Sequence, residues 1–130
     1  MPRATVSQDT ERFELKSLPA AGTEEGGWVE LKRLTYGQLL ERRDMAAKIT
    51  ARQDPSGKKG EVEQEIKSMQ DKVAQFEFKN CIMAHNLTDE DGNILDLTSP
   101  LVIRMLDPKV GDEISTLIDS LNQFEVELGN

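Results

Sequence analysis

Apolar and polar residues alternate in two short stretches near the start of the chain, at residues 13–16 and 28–34. Alternation of this kind is typical of strands that bury one face. The segment 20–27 between them is rich in glycine and acidic residues, which predicts a loop that joins the strands as a hairpin. Trp28 falls on the opposite face from Val29, so we expect its side chain to point away from the core.

Two helices follow the predicted hairpin. Thr35, with Gln38 three residues later, predicts a capping box that opens a helix running to about Arg52. The segment 54–60, rich in Pro, Gly and Lys, predicts a break, and a second helix then extends over residues 61–86. Its apolar positions follow alternating four- and three-residue steps, which suit a bundle within one chain and a homo-oligomeric seam equally well. This stripe comprises Val62, Ile66, Met69, Val73 and Phe76.

The remaining elements are shorter. Residues 87–97 predict a β-turn built on Asp91 and Gly92. Ser99-Pro100 predicts a short helix through Leu106, and Asp107-Pro108 opens a final amphipathic helix. The chain is therefore expected to be α+β and mainly α, with an N-terminal β-hairpin, a small helical bundle and a short β-turn insertion.

Its predicted organisation is a disordered leader at 1–11, one domain at 12–124 and a flexible tail at 125–130.

The charge balance narrows the class of partner. Among 130 residues, 24 are acidic and 16 are basic, which gives a net charge of −8. A field of that sign repels phosphate backbones and anionic lipid surfaces, so neither nucleic acid nor a membrane is an expected partner. No apolar run approaches the roughly 20 residues needed to cross a bilayer. The single cysteine and the polar N-terminus are typical of a cytoplasmic protein.

Two groups of residues could carry chemistry, and both have a simpler interpretation. Cys81 and His85 would share one face of the predicted helix, but two ligands do not make a zinc site, and a cysteine on an apolar stripe is more often a core residue. The acidic loop 89–93 lacks the spacing of a calcium loop and favours a turn. We therefore expect no catalytic residue, metal or cofactor. An enzyme or metal protein built on Cys81, His85 and Asp91 is the least favoured class.

The chain resembles the tail assembly chaperones of long-tailed bacteriophages. The resemblance is carried by residues 13–15, 27–37 (GWVELKRLTYG), 41–45, 76–82 (FEFKNCI) and 106–114 (LDPKVGDEI). It implies a mainly helical protein in the host cytoplasm that binds the tape measure and tail tube proteins during tail assembly and is absent from the mature virion. The alternative is a structural tail or head-tail connector component that the virion retains.

Four aromatic residues are the candidates for partner binding. Trp28 and Tyr36 are the favoured contacts, while for Phe76 and Phe78 a place in the core is favoured over partner contact. Their pattern carries no catalytic role. It predicts at most a surface for another protein.

Overall fold

The computed structural model describes residues 2–51 and 59–123, in which three strands and four helices follow one another. They are β1 (Glu11–Glu14), β2 (Trp28–Leu31), α1 (Tyr36–Ala51), α2 (Lys59–Cys81), β3 (Ile82–His85), α3 (Pro100–Arg104) and α4 (Pro108–Asn122). This arrangement confirms the predicted α+β, mainly α fold with an N-terminal hairpin.

Only the N-terminal limit of the predicted domain lies within the described residues. Residues 2–10 have no regular secondary structure, and β1 begins at Glu11, the last residue of the predicted leader. The predicted tail at 125–130 lies outside the described residues, as does most of the predicted break at 54–60.

The strands form one antiparallel sheet in the order β1-β2-β3. Phe13 pairs with Val29, and Val29 also pairs with His85 on the other side. Val29 and Leu31 are completely buried, whereas Trp28 lies on the opposite face of β2, as predicted. The sheet therefore has one face on the core and one face toward the outside.

The third strand corrects the predicted extent of the second helix. The helix was expected to reach residue 86, but α2 ends at Cys81 and residues 82–85 pair with β2. The Lys32 N–H donates to the Cys81 carbonyl at 2.9 Å, at the junction of helix and strand. Helical spacing of apolar residues continues past Cys81, but the backbone partners offered by β2 decide the conformation there.

Strand β1 is shifted and strand β2 is shorter relative to the predicted ranges, and side chains from α4 bind backbone N–H groups beyond the ends of both strands. Glu113 accepts hydrogen bonds from the N–H groups of Lys16 and Ser17 at 2.7 and 2.9 Å. The Asn122 side-chain oxygen accepts from the Leu34 N–H at 2.8 Å. These polar contacts dock α4 against the sheet and satisfy donors that would otherwise remain unpaired.

The core lies between the sheet, the C-terminal part of α2 and the inner face of α4. The most completely buried side chains are Val29, Leu31, Cys81, Ile114 and Ile118. Each fully buried aliphatic side chain contributes roughly 1.5–3 kcal/mol of transfer free energy. The predicted apolar face of the last helix is confirmed, and the buried residues of α2 lie near its end, at Glu77, Phe78 and Cys81.

The residues predicted to cap the starts of α1 and α4 form the expected hydrogen bonds. The Gln38 N–H donates to the Thr35 hydroxyl at 3.2 Å, and the Thr35 N–H donates to the Gln38 side chain at 3.0 Å. This pair is the predicted capping box. Asp107 accepts from the Lys109 N–H at 2.9 Å at the start of α4, while Ser99 occupies the cap position of α3 without a side-chain bond.

Candidate protein-binding surface

Trp28 lies on the outer face of the sheet, half-buried beneath an arginine. The Arg12 guanidinium stands 4.0 Å from the centre of the Trp28 ring, and Arg12 also pairs with Glu25 at 3.0 Å. A cation over an aromatic face is held by the ring's quadrupole. The buried indole N–H meets no acceptor within the described residues. Trp28 is thus covered by its own chain on part of its surface.

The other aromatic candidates have different surroundings. Tyr36, at the start of α1, is 70% exposed. Phe76 packs half-buried against the core, and Phe78 is 2% exposed within it. The structure therefore places Phe78 in the core and leaves it no surface for a partner. Of these four residues, Tyr36 alone is exposed, and they do not form a common aromatic patch.

Cys81 and His85 do not share a helix face, since α2 ends at Cys81 and His85 belongs to β3. Burial raises the pKa of the Cys81 thiol to about 11, and the Asn122 amide lies 3.8 Å from its sulfur. Burial also lowers the pKa of His85, whose Nδ1 accepts from the Leu87 N–H at 3.0 Å. Both side chains are engaged in the fold, and a high thiol pKa disfavours nucleophilic or ligating chemistry.

The acidic loop forms the predicted turn. Asp89 accepts from the N–H groups of Asp91 and Asn93 at 2.9 and 3.0 Å, and Gly92 adopts a positive φ of 83°. Hydrogen bonds from Asn93 and its neighbours hold the pKa of Asp89 below its usual value. In the part of the chain that the structure describes, no group of three or more His, Cys, Asp or Glu residues is arranged to hold a metal ion.

The surface carries an open groove of about 920 Å³, which the sequence alone did not indicate. It lies between the loop of the hairpin, the 86–91 segment and the stretch from α3 to the start of α4. Its apolar lining includes Leu18, Leu87, Leu95, Val102, Met105 and Leu106. Met105 is 86% exposed, so the groove presents apolar surface directly to solvent.

The edge of the groove is acidic. Its carboxylates are Glu24, Glu25, Asp89, Glu90, Asp91 and Asp107, and none of the described lining residues is Lys, Arg or His. The two clusters are visible in the sequence at 24–25 and 89–91, but they are more than sixty residues apart. The sequence therefore identifies the acidic residues, but it does not indicate that they lie together beside apolar side chains.

Comparisons of this chain with models of protein families, with curated proteins and with solved structures give no match. Within residues 2–51 and 59–123, none of the helices has the length and apolar character needed to span a membrane. The arrangement of the groove suits contact with another molecule, since apolar surface beside a polar rim is typical of protein-binding sites.

Proposed function

We propose that this protein is a non-catalytic tail assembly chaperone of a long-tailed bacteriophage or prophage. It binds the tape measure and tail tube proteins in the host cytoplasm during tail morphogenesis and is absent from the mature virion. The clients come from the sequence resemblance, whereas the structure supplies a surface on which a client could lie.

The observation that carries the proposal is apolar surface left exposed around the acidic groove. Leu101, on α3, is 73% exposed, and Met105, directly after α3, is 86% exposed. Exposed apolar side chains next to a groove provide area that a partner can bury. An assembly chaperone needs such a surface to cover client segments, and it needs to release them when the client assembles.

Client binding is tested by co-producing the tagged protein with the tape measure protein or the tail tube protein, followed by affinity capture at micromolar concentration. The Met105→Ala variant should lower client capture several-fold with no change in melting temperature, because Met105 lines the groove, is 86% exposed and contributes little to the core. Ile94→Ala removes an apolar side chain of similar exposure (65%) outside the groove lining and serves as the matched control. Failure of the wild-type protein to bind either client would overturn the proposal.

The transient role is tested by quantitative mass spectrometry of tail-assembly intermediates and mature particles from producing cells. We expect the protein in intermediates together with its clients and absent from particles. Retention in particles at fixed stoichiometry would instead identify a structural tail or head-tail connector component.

A further inference from the structure

The floor of the groove is suited to several side chains of a partner. Its volume of about 920 Å³ lies near the upper end of the roughly 300–1,000 Å³ that is typical of binding clefts. Met105 stands exposed at its edge, with the half-buried Val102 and Leu106 beside it. Methionine adapts its shape to different apolar partners, so this edge can accommodate side chains of varied form.

Three carboxylates at the rim have no side-chain partner among residues 2–51 and 59–123. Glu24, Glu90 and Asp91 are exposed and make neither an ion pair nor a side-chain hydrogen bond with the described residues. The other rim acids are engaged: Glu25 pairs with Arg12, and Asp89 and Asp107 accept backbone N–H groups. Among the described lining residues, the charge without an ion-pair partner is therefore entirely negative.

We propose that the groove binds an apolar segment of a partner protein that is flanked by lysine or arginine residues. The apolar side chains lie against Met105, Val102 and Leu106, and the flanking cations pair with Glu24, Glu90 and Asp91. Charge complementarity speeds encounter and disfavours acidic partners. This inference rests on the proposed function, because it specifies which kind of client segment the groove binds.

The test uses fluorescence anisotropy of a labelled peptide of leucine and lysine at helical spacing, with two companion peptides in which glutamate or glutamine replaces lysine. We expect the lysine peptide to bind, the glutamine peptide to bind more weakly and the glutamate peptide not to bind. Binding of the lysine peptide should weaken as salt is raised, because exposed charges are screened.

Two matched pairs of variants locate the site. The rim variant Glu24→Gln/Glu90→Gln/Asp91→Asn should weaken binding of the lysine peptide roughly tenfold, which is the combined effect of three exposed ion pairs. The control Glu11→Gln/Glu41→Gln/Glu63→Gln makes the same change in net charge at exposed positions outside the lining and should leave the affinity within about twofold.

A second pair of variants tests the apolar lining of the groove. Met105→Gln should weaken binding several-fold, and Ile94→Gln, at an exposed apolar position outside the lining, should not.

Equal losses of affinity for the lysine peptide in the rim variant and its control would overturn the proposal, because the change in net charge alone would then explain the effect. Equal binding of the lysine and glutamate peptides would overturn it as well.

Repeating the client capture with the rim variant separates this inference from the proposed function. If the clients bind the wild-type protein and the rim variant equally, the groove inference fails and the chaperone function stands. If the lysine peptide binds at the groove but neither client is captured, the groove inference stands and the proposed clients are wrong.

Discussion

The ion pair between α1 and α2 provides a direct test of the physical account of this fold. Arg42 Nε lies 2.7 Å from Glu77 Oε1, and the side chains retain 21% and 8% of their exposure. Burial raises the pKa of Glu77, although the hydrogen bond and the charge of Arg42 oppose that shift. Loss of Arg42 would leave an almost completely buried carboxylate without this partner.

We expect Arg42→Met to lower the free energy of unfolding by about 3 kcal/mol at neutral pH. Removal of one partner from a fully buried pair costs roughly 3–5 kcal/mol, and the partial exposure of Arg42 places this pair at the lower end. Glu77→Gln removes the charge and should cost less than about 1 kcal/mol, since an amide can still accept the hydrogen bond. The double variant should then recover about 2 kcal/mol relative to the sum of the single changes.

The dependence on pH has a definite sign. Because the folded pKa of Glu77 lies above its ordinary value of 4.5, its contribution to stability is present below that value and is lost as pH rises through the folded pKa. Without Arg42 the folded pKa rises further. The deficit of Arg42→Met should therefore be small at about pH 4 and largest at about pH 8, and Glu77→Gln should abolish this dependence.

Urea unfolding followed by circular dichroism and by the fluorescence of Trp28, the single tryptophan, measures each free energy. Lys48→Met is the matched control, because Lys48 pairs with Asp44 on the same helix at 3.2 Å but both side chains are about two-thirds exposed. It should cost less than about 0.5 kcal/mol. A deficit for Arg42→Met below about 1 kcal/mol at pH 8, or one equal at both pH values, would refute the reasoning.

Three further predictions concern α4, the hairpin loop and the core. Glu113→Ala should cost about 1–3 kcal/mol at pH 7 in urea unfolding. Burial raises the pKa of Glu113, but hydrogen bonds from Ser17 and Lys16 outweigh that effect and leave the folded pKa below 4.5. The difference in unfolding free energy should therefore shrink as pH falls from 4.5 through the folded pKa. A difference that stays constant with pH would contradict the assignment. Gly26→Ala should cost about 1–3 kcal/mol, since the new Cβ would lie 2.7 Å from the Ala20 nitrogen, whereas Gly37→Ala, with open space around it, should be neutral or stabilising by up to about 1 kcal/mol. Native Cys81 should react slowly with a thiol reagent, because a pKa raised from 9.0 to about 11 lowers the thiolate fraction about 100-fold, and rapid labelling without urea would contradict its burial.

Only part of the candidate binding surface could be predicted from the sequence. Alternation along β2 placed Trp28 on the outer face, and the helical pattern marked Phe76 and Phe78 as candidates for the core as well as for contact. The groove was not predicted, because its floor combines residues from the hairpin loop, the 86–91 segment and α3. Met105 looks like any methionine in the sequence, and its 86% exposure depends on how α3 packs.

Features that depend only on neighbours along the chain could be predicted from the residues alone. The Thr35–Gln38 capping box, the Asp107 cap and the alternation in β2 are local, since each is satisfied by residues within a few positions. Long-range contacts, in contrast, make residues 82–85 leave the helix and join the sheet. Their apolar spacing is compatible with both conformations, and the deciding factor is β2, which lies about fifty residues earlier and supplies the backbone partners. The same physical reason governs the ends of the hairpin strands, where Glu113 and Asn122 bind backbone N–H groups that no local pattern could assign to them.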